Sequence, residues 1–380
     1  MKIAMHKGED HFFFVINCYN KSGLRQITEP YRRWISVYLL LPLLLTLYTM
    51  IIFNIRYKNN NIFEIAEVFE AVSTFGQLVA RKVIILMHGP LYEEIIRDRS
   101  YFWSYDTFGQ TEGDNFRTQM AFAVSLIRKL WFASIFSLVF HFCTPFLVAN
   151  SVLPDACWIP IDSEYMIIFL YTLEMLFYVE AILFLGVFDA FFLCMCVEFK
   201  IQFNLLNKTI HTLNEDIAGG RGNEEVWLAK LKRCTSHHNF LLKVHKKLNN
   251  FFSEYFVCQY LINTGGVCIQ FFIINNESSN LTQILRSVVY ILIASLLGAL
   301  IFLPSSIVEE EAEIFKDNIY NIDWQNTTSL QIRKFIVFWM MKAQKPINMS
   351  GSGLFQVNRN VLIQMPRLAF SIATILSKVK

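Results

Sequence analysis

The chain has 380 residues, with 34 Lys and Arg residues against 31 Asp and Glu residues. Apolar residue types make up 54% of it, charged types make up 17%, and the mean hydropathy is +0.37. An average soluble protein carries about 25% charged residues, so this chain has too little charge to solvate two or three soluble domains. The 36 Phe residues exclude a disordered chain, and a net charge of +3 gives no reason to expect a nucleic-acid partner. Composition therefore predicts an all-α, polytopic protein of the lipid bilayer.

Seven apolar segments are candidates for membrane-spanning helices, because about 20 apolar residues cross a bilayer. They lie at about 34–54, 64–88, 130–150, 164–196, 251–275, 282–304 and 352–378. The second segment is the weakest, since Arg81 and Lys82 fall inside it. The fourth contains Asp189 and is long enough to tilt or to project into water. Charged residues in spans either contact an ion or ligand, or pair between helices; pairing is the interpretation that we favour.

The distribution of Lys and Arg predicts how the chain crosses the membrane, because positive charge is retained on the cytoplasmic side. Six Lys or Arg residues precede the first span and nine lie in 200–247, whereas the segments 151–163 and 276–281 contain none. We therefore place the N-terminus in the cytoplasm and the C-terminus outside. The outer segment 276–281 contains sequons headed by Asn276 and Asn280, which are candidate glycosylation sites.

The predicted cytoplasmic connections have helical patterns of their own. Residues 197–250 place apolar side chains at helical spacing and break only at the glycine-rich segment 219–222. Residues 309–345 end in an amphipathic run. Apolar stripes of this kind need packing partners, so we predict a cytoplasmic helical domain. His237 and His238 lie in a basic segment, and we interpret them as part of a solvated face.

The eight cysteines lack the spacing of a metal site or of a disulfide framework. Cys143 and Cys157 are the one pair that could meet on the outer side. The sequence shows no Ser-His-Asp arrangement, no HExxH motif and no phosphate-binding loop. We therefore predict no metal, no cofactor and no enzymatic activity.

About 60 residues at the C-terminal end carry motifs that resemble the signature of insect odorant receptors. The matching positions are Gln344, Lys345, Pro346, Gly351, Phe355, Arg367, Ala369, Phe370, Ser371 and Leu376, with Tyr320 and Trp324 upstream and Asp189, Gln202, Phe203 and Leu206 around the end of the fourth span. Chain length, span number and the cytoplasmic N-terminus are also similar. Two residues depart from the pattern: Phe370 stands where the family more often has Tyr, and Pro366 favours a kink in the last helix.

The resemblance implies an odour-tuning subunit of a ligand-gated, non-selective cation channel. Such a subunit assembles with the olfactory co-receptor as a heterotetramer around one pore, in the plasma membrane of a sensory dendrite, and binds a volatile organic ligand. The resemblance also divides the chain into a cytoplasmic N-terminal segment, a six-helix ligand-binding region with long intracellular helices, an anchor that includes the first half of helix seven, and a pore-lining second half. The corresponding residues are 1–33, 34–304 (with 197–250), 305–345 and 346–380.

Gate residues are expected near the outer end of the last helix, since an apolar constriction blocks ions by excluding water. The candidates are Ile372, Ile375 and Val379, with Lys378 close to the pore mouth. The alternative is that these side chains pack on lipid or on a neighbouring helix.

The resemblance places the ligand among the second to sixth spans, in the outer half of the membrane. A mostly apolar pocket with a few polar groups suits a volatile molecule, so aromatic, Met and small polar residues that share a helix face are the candidates. They are Phe69, Ser73 and Gly76; Phe136, Phe140 and His141; Tyr171, Met175 and Tyr178; and Tyr290. The alternative is that these aromatic stripes are ordinary helix-packing core.

The main competing class is a seven-helix G-protein-coupled receptor, which places its N-terminus outside. The charge distribution opposes that orientation. No Asp-Arg-Tyr follows the third span, and no Asn-Pro-x-x-Tyr closes the seventh. A transporter would show internal repeats and paired broken helices, and the sequence shows neither.

Overall fold

The part of the chain that the structure describes is almost entirely helical. The computed structural model describes residues 10–21, 41–57, 62–147, 153–155, 157–161, 163–219, 223–276, 280–324 and 329–378. The helices are α1 (Asp10–Lys21), α2 (Leu41–Tyr57), α3 (Ile62–Arg99), α4 (Gln110–Leu147), α5 (Glu164–Ala218), α6 (Glu224–Ile274), α7 (Leu281–Tyr320), α8 (Leu330–Ala343) and α9 (Arg359–Lys378). A short antiparallel hairpin, β1 (Ser350–Gly351) and β2 (Phe355–Gln356), precedes α9.

Each predicted span overlaps one of these helices. Among the described residues, α4, α5, α6, α7 and α9 are long and apolar enough to cross a membrane, and α2 contains a shorter apolar stretch, Leu41–Phe53. Helix α3 has 38 residues and carries Arg81 and Lys82. These two side chains are buried, so they are charges inside the bundle rather than charges facing lipid. The chain is an all-helical multi-pass membrane protein, as its composition predicts.

Two helices run far beyond the thickness of a membrane. Helix α5 has 55 residues and α6 has 51, so each is roughly 80 Å long, against about 30 Å for the hydrocarbon core. Their extra turns pack with α8 and the end of α7, where the Phe315 ring lies 5.8 Å from Phe203 and 5.7 Å from Trp339. We call this region the anchor end, and the opposite end, which carries residues 153–155 and 157–161, the loop end.

The interpretation of His237 and His238 as a solvated face is wrong. Both are buried, because they lie on the same stripe of α6 as Leu241, which faces the core of the anchor end. His237 Nε2 lies 2.9 Å from Gln202 Oε1, and its ring stacks on Trp103 at 4.2 Å. Through these contacts, the connection between α3 and α4, which contains Trp103, packs against both α5 and α6.

The last helix begins later than the sequence predicts. The predicted seventh span starts several residues before Arg359, but the hairpin occupies those positions. Ser352 and Gly353 have φ values of 48° and 72°, a left-handed turn that a continuing α-helix cannot contain. The Ser350 N–H donates to Asn249 Oδ1 on α6 at 2.7 Å, so α9 starts from a point held against α6.

Candidate ligand-binding site

An apolar cavity of about 400 Å³ lies between α3, α4, α5 and α7. Aliphatic side chains form most of its wall, among them Leu138 on α4, Ile182 on α5 and Leu297 on α7. Pockets for small organic molecules have about 300–1,000 Å³ and are mostly apolar. Volume and lining therefore suit a small, largely apolar molecule.

Two of the predicted ligand residues, His141 and Tyr178, line this cavity. Their rings are 4.7 Å apart, and the Tyr178 ring meets Phe75 edge-on at 5.0 Å. Thr74 and Asp189 also line the cavity, although neither is a predicted ligand residue. Thr74 was not a candidate because it lies one position beyond the predicted face of the second span. Asp189 was not a candidate because its charge was assigned to an ion pair between helices.

Trp131 lies in the cavity wall, with its side chain packed against a glycine. A Cβ atom at Gly186 on α5 would lie 1.2 Å from Trp131 Nε1, so the indole passes directly over the Gly186 backbone. Both residues line the cavity. An isolated glycine in an apolar helix often marks a close approach of another side chain. Gly186 is therefore the residue from which this contact could have been predicted.

Asp189 is held by a buried polar network beside the cavity. Arg81 Nη2 donates to Asp189 Oδ2 at 3.0 Å, and the Tyr255 hydroxyl donates to Asp189 Oδ1 at 2.7 Å. Lys82 Nζ pairs with Glu180 Oε1 at 2.6 Å in the same region. These four charged residues therefore pair between α3 and α5, with Tyr255 of α6 bonded to the first pair, which confirms for them the interpretation as interhelix pairs.

Four other predicted ligand residues form a separate cluster between α3, α6 and α7. The Ser73 and Tyr290 hydroxyl oxygens are 3.1 Å apart. A Cβ atom at Gly266 would lie 2.3 Å from the Tyr290 hydroxyl, and one at Gly265 would lie 3.1 Å from Phe69 Cζ. The paired glycines of α6 thus make room for both rings. Gly76 lies nearby, where a Cβ atom would be 3.4 Å from the Tyr48 hydroxyl.

The remaining predicted ligand residues are not gathered in the cavity. Phe136 is 67% and Met175 is 48% exposed, so both lie on the outside of the single chain. The Tyr171 hydroxyl donates to the Phe142 carbonyl at 3.0 Å. The Phe140 side chain lies outside the described part of the chain. Helical spacing identifies a shared face, but a lipid-facing helix surface accepts the same aromatic residues as a pocket does.

Ile372 and Ile375, the two predicted gate residues whose side chains the structure describes, lie on a face of α9 that points away from the rest of the chain. Ala369 and Ala373 are fully buried against α6 and α7. Ile372 and Ile375, by contrast, are 38% and 63% exposed. The Lys378 side chain and the whole of Val379 lie outside the described residues. Pro366 lies within α9.

The predicted glycosylation sites border the connection between α6 and α7. Asn280 is the N-cap of α7 and forms a capping box with Gln283. Asn276 lies two residues beyond the end of α6, and its use, like that of Asn280, stays a prediction. The thiols of Cys143 and Cys157 are both free.

Comparisons with known proteins are consistent with this architecture. The family model described as "7tm Odorant receptor" matches residues 61–370. Odorant receptor 22b of Drosophila melanogaster is 21% identical over 180 residues, which are 47% of this chain and 44% of that receptor. The match therefore spans less than half the length of this curated relative.

Solved structures of the insect olfactory receptor OR5 from Machilis hrabei have the same fold. The receptor alone matches with a TM-score of 0.74 and 14% identity, and its complex with eugenol matches with 0.72 and 15%. Both matches cover 97% of this chain and 100% of the other. The family is one of receptors, in agreement with the prediction that the chain is not an enzyme. Because the family model matches well over half of the sequence, the chain belongs to the insect odorant receptor family.

Proposed function

We propose that the chain is the odour-tuning subunit of a ligand-gated, non-selective cation channel, assembled with the olfactory co-receptor as a heterotetramer. The observation that carries this proposal is the apolar cavity of about 400 Å³ between α3, α4, α5 and α7, in a chain with the odorant-receptor fold. Its ligand is a volatile organic molecule. The complex of OR5 with eugenol, a receptor of the same fold, supports a ligand of this size.

The cavity sets the scale of affinity and selectivity. A ligand of about ten to fifteen heavy atoms gains about 0.3–1.5 kcal/mol per atom at best, so after ordering costs we expect a Kd near the micromolar range. Aliphatic walls discriminate by shape, at about 1–3 kcal/mol per misplaced methylene group. Related molecules should therefore compete for the cavity, and a ligand opens the pore only if the open state binds it more tightly.

A chain of contacts supports coupling between the cavity and the last helix. Asp189 lines the cavity and accepts a hydrogen bond from Tyr255 on α6. On the same helix, Ser253 Oγ donates to the Ser350 carbonyl at 3.1 Å, which holds the hairpin that precedes α9. A ligand that moves Asp189 can therefore displace the start of α9 through this short series of packed contacts.

The exposed stripe of α9 supports the pore assignment. Leu368, Ile372 and Ile375 follow one another at helical spacing and are 43%, 38% and 63% exposed. In a tetramer, apolar stripes of this kind around the axis form a gate that works by excluding water. The N-terminus lies in the cytoplasm and the C-terminus outside the plasma membrane, and the chain divides into 1–33, 34–304, 305–345 and 346–380 as set out above.

Recording from oocytes that express the chain with the co-receptor tests this function. Volatile panels should evoke cation current that is absent when the chain is omitted. Leu297→Trp fills the cavity and should lower odour sensitivity at least about tenfold, whereas Leu292→Trp changes a 64% exposed position of the same helix and should have no effect. Odour-evoked second-messenger signalling without current would support the G-protein-coupled class instead.

A further inference from the structure

A buried pair of acidic residues lies at the loop end of the bundle. Residues 153–155 and 157–161 pack over this end, and the Asp155 N–H donates to Glu174 Oε2 at 3.3 Å. Glu174 belongs to α5 and is fully buried. The contact therefore brings Asp155, whose side chain is 8% exposed, next to Glu174, so both acidic residues are largely removed from water.

Acidic groups outnumber basic groups around this pair. His141 Nε2 lies 3.6 Å from Asp155 Oδ1, and the neighbouring Glu70 is already paired with Arg286 at 2.7 Å. Across the described residues, no Lys or Arg forms an ion pair with Asp155 or Glu174, and Glu174 Oε1 has no hydrogen-bond partner. A buried carboxyl oxygen without a donor is unfavourable, and a bound ligand can supply that donor.

The acidic pair adjoins the cavity through two aromatic side chains. His141 and Tyr178 line the cavity with their rings 4.7 Å apart, and His141 Nε2 lies 3.6 Å from Asp155 Oδ1. The Phe142 ring lies 5.8 Å from both the Tyr178 ring and the Tyr171 ring. Because the faces of aromatic rings attract cations, rings and carboxylates here favour the same kind of ligand group.

We propose that Asp155 and Glu174 form the cation-binding end of the ligand site, and that the receptor takes small amines in their protonated form. The ammonium group lies between Glu174 Oε1 and the Asp155 carboxylate, and the hydrocarbon part fills the aliphatic cavity. A neutral molecule of the same shape makes the same apolar contacts but forms no charge-assisted hydrogen bond with the acidic pair. This inference rests on the proposed function, because it assigns a ligand class to the same cavity.

The test compares 2-phenylethylamine, which is protonated near neutral pH, with 2-phenylethanol, which has the same carbon skeleton and no charge. Binding to the full-length chain in lipid nanodiscs is followed by tryptophan fluorescence, since Trp131 lies in the cavity wall and Trp158 in the loop end. We expect the amine to bind roughly tenfold more tightly than the alcohol.

Three variants identify the groups responsible. Glu174→Gln and Asp155→Asn should each remove most of the preference for the amine while alcohol binding is retained, which also reports that the variant is folded. Glu164→Gln changes an exposed acid on the same helix and should leave the preference intact.

Equal affinity for the two compounds overturns the proposal. A preference for the amine that survives in both acid variants also overturns it, and so does the absence of amine binding at millimolar concentration. The proposed function is tested separately, through current evoked by neutral volatiles. A chain that conducts in response to neutral volatiles but shows no amine preference refutes this inference alone.

Discussion

Arg81 and Asp189 form a buried ion pair inside the helix bundle, with Arg81 Nη2 3.0 Å from Asp189 Oδ2. The Tyr255 hydroxyl lies 2.9 Å from the same Arg81 nitrogen and also contacts Asp189. The network joins α3, α5 and α6 at the wall of the cavity. Arg81 is 1% exposed, so in the folded chain its charge is balanced by Asp189 and not by bulk water.

Asp189→Ala should lower the free energy of unfolding by about 3–5 kcal/mol, because it leaves the Arg81 guanidinium buried without a counter-ion. The double variant Arg81→Met with Asp189→Leu should recover most of that loss, since no buried charge remains. Unfolding of the purified chain in detergent, followed by tryptophan fluorescence, measures both.

The matched control is the exposed pair of Lys208 and Glu112, whose side chains are 35% and 41% exposed. Lys208→Ala should cost less than about 1 kcal/mol. If Asp189→Ala were no more costly than this control, the buried pair would not have the structural role assigned to it.

Gly186→Ala should destabilise the chain by about 1–3 kcal/mol, because the added methyl group collides with the Trp131 indole and forces it to move. The displaced indole should also shift its fluorescence maximum. Gly76→Ala is the control, since its methyl group would be 3.4 Å from the nearest atom, and it should leave stability unchanged or raise it by up to about 1 kcal/mol. Equal behaviour of the two variants would contradict the close packing of α4 on α5.

The anchor end should lose stability on acidification. Burial lowers the pKa of His237 to about 3, with Arg233 adding to the effect, and it lowers the pKa of His238 and of His245 to about 4. These residues bind protons near pH 6.5 only when the chain unfolds. Their contribution to stability is therefore complete above pH 6.5 and decreases as the pH falls towards 4, by about 1 kcal/mol per histidine at pH 5.5.

Unfolding at pH 7.5 and at pH 5.5 checks this expectation. His245→Leu removes one of the three buried titrating groups and should reduce the loss of stability between the two pH values. His211→Gln changes an imidazole that is 76% exposed and should leave the loss as it is in the unmodified chain. The same pH dependence in both variants would show that the buried histidines do not control it.

Hydropathy was enough to predict the seven spans, because an apolar run of bilayer length has few alternatives, whereas α1 lies in a polar segment and was not predicted. Opposite charges within spans, such as Arg81 and Asp189, also indicated that the helices pair through them. The hairpin before α9 was missed because Phe355 and its neighbours are apolar enough to extend the seventh span. The left-handed turn at Ser352 depends on local backbone geometry that hydropathy does not report.

The ligand site was predicted only in part, for a physical reason. Lipid, a neighbouring helix and a pocket all accept aromatic side chains, so Phe136 and Tyr178 look equivalent in sequence, although Phe136 is exposed and Tyr178 lines the cavity. His238 was wrongly predicted to be solvated because basic residues are its neighbours in sequence, although it lies on a buried stripe of the helix. Residues 153–155 carry no periodicity that would have predicted the contact of Asp155 with Glu174.

Cysteine accessibility in the odour-gated channel tests the central claim most directly, namely that the exposed face of α9 lines a cation conduit. Ile375→Cys and Ala373→Cys are expressed with the co-receptor and treated with a cationic methanethiosulfonate reagent. The unmodified chain, treated in the same way, measures the effect of reaction at the native cysteines. The account predicts that odour-evoked current through the Ile375 variant changes irreversibly, while the fully buried position of Ala373 is unaffected. Intact current that is insensitive to the reagent at Ile375, or equal modification at both positions, would contradict it.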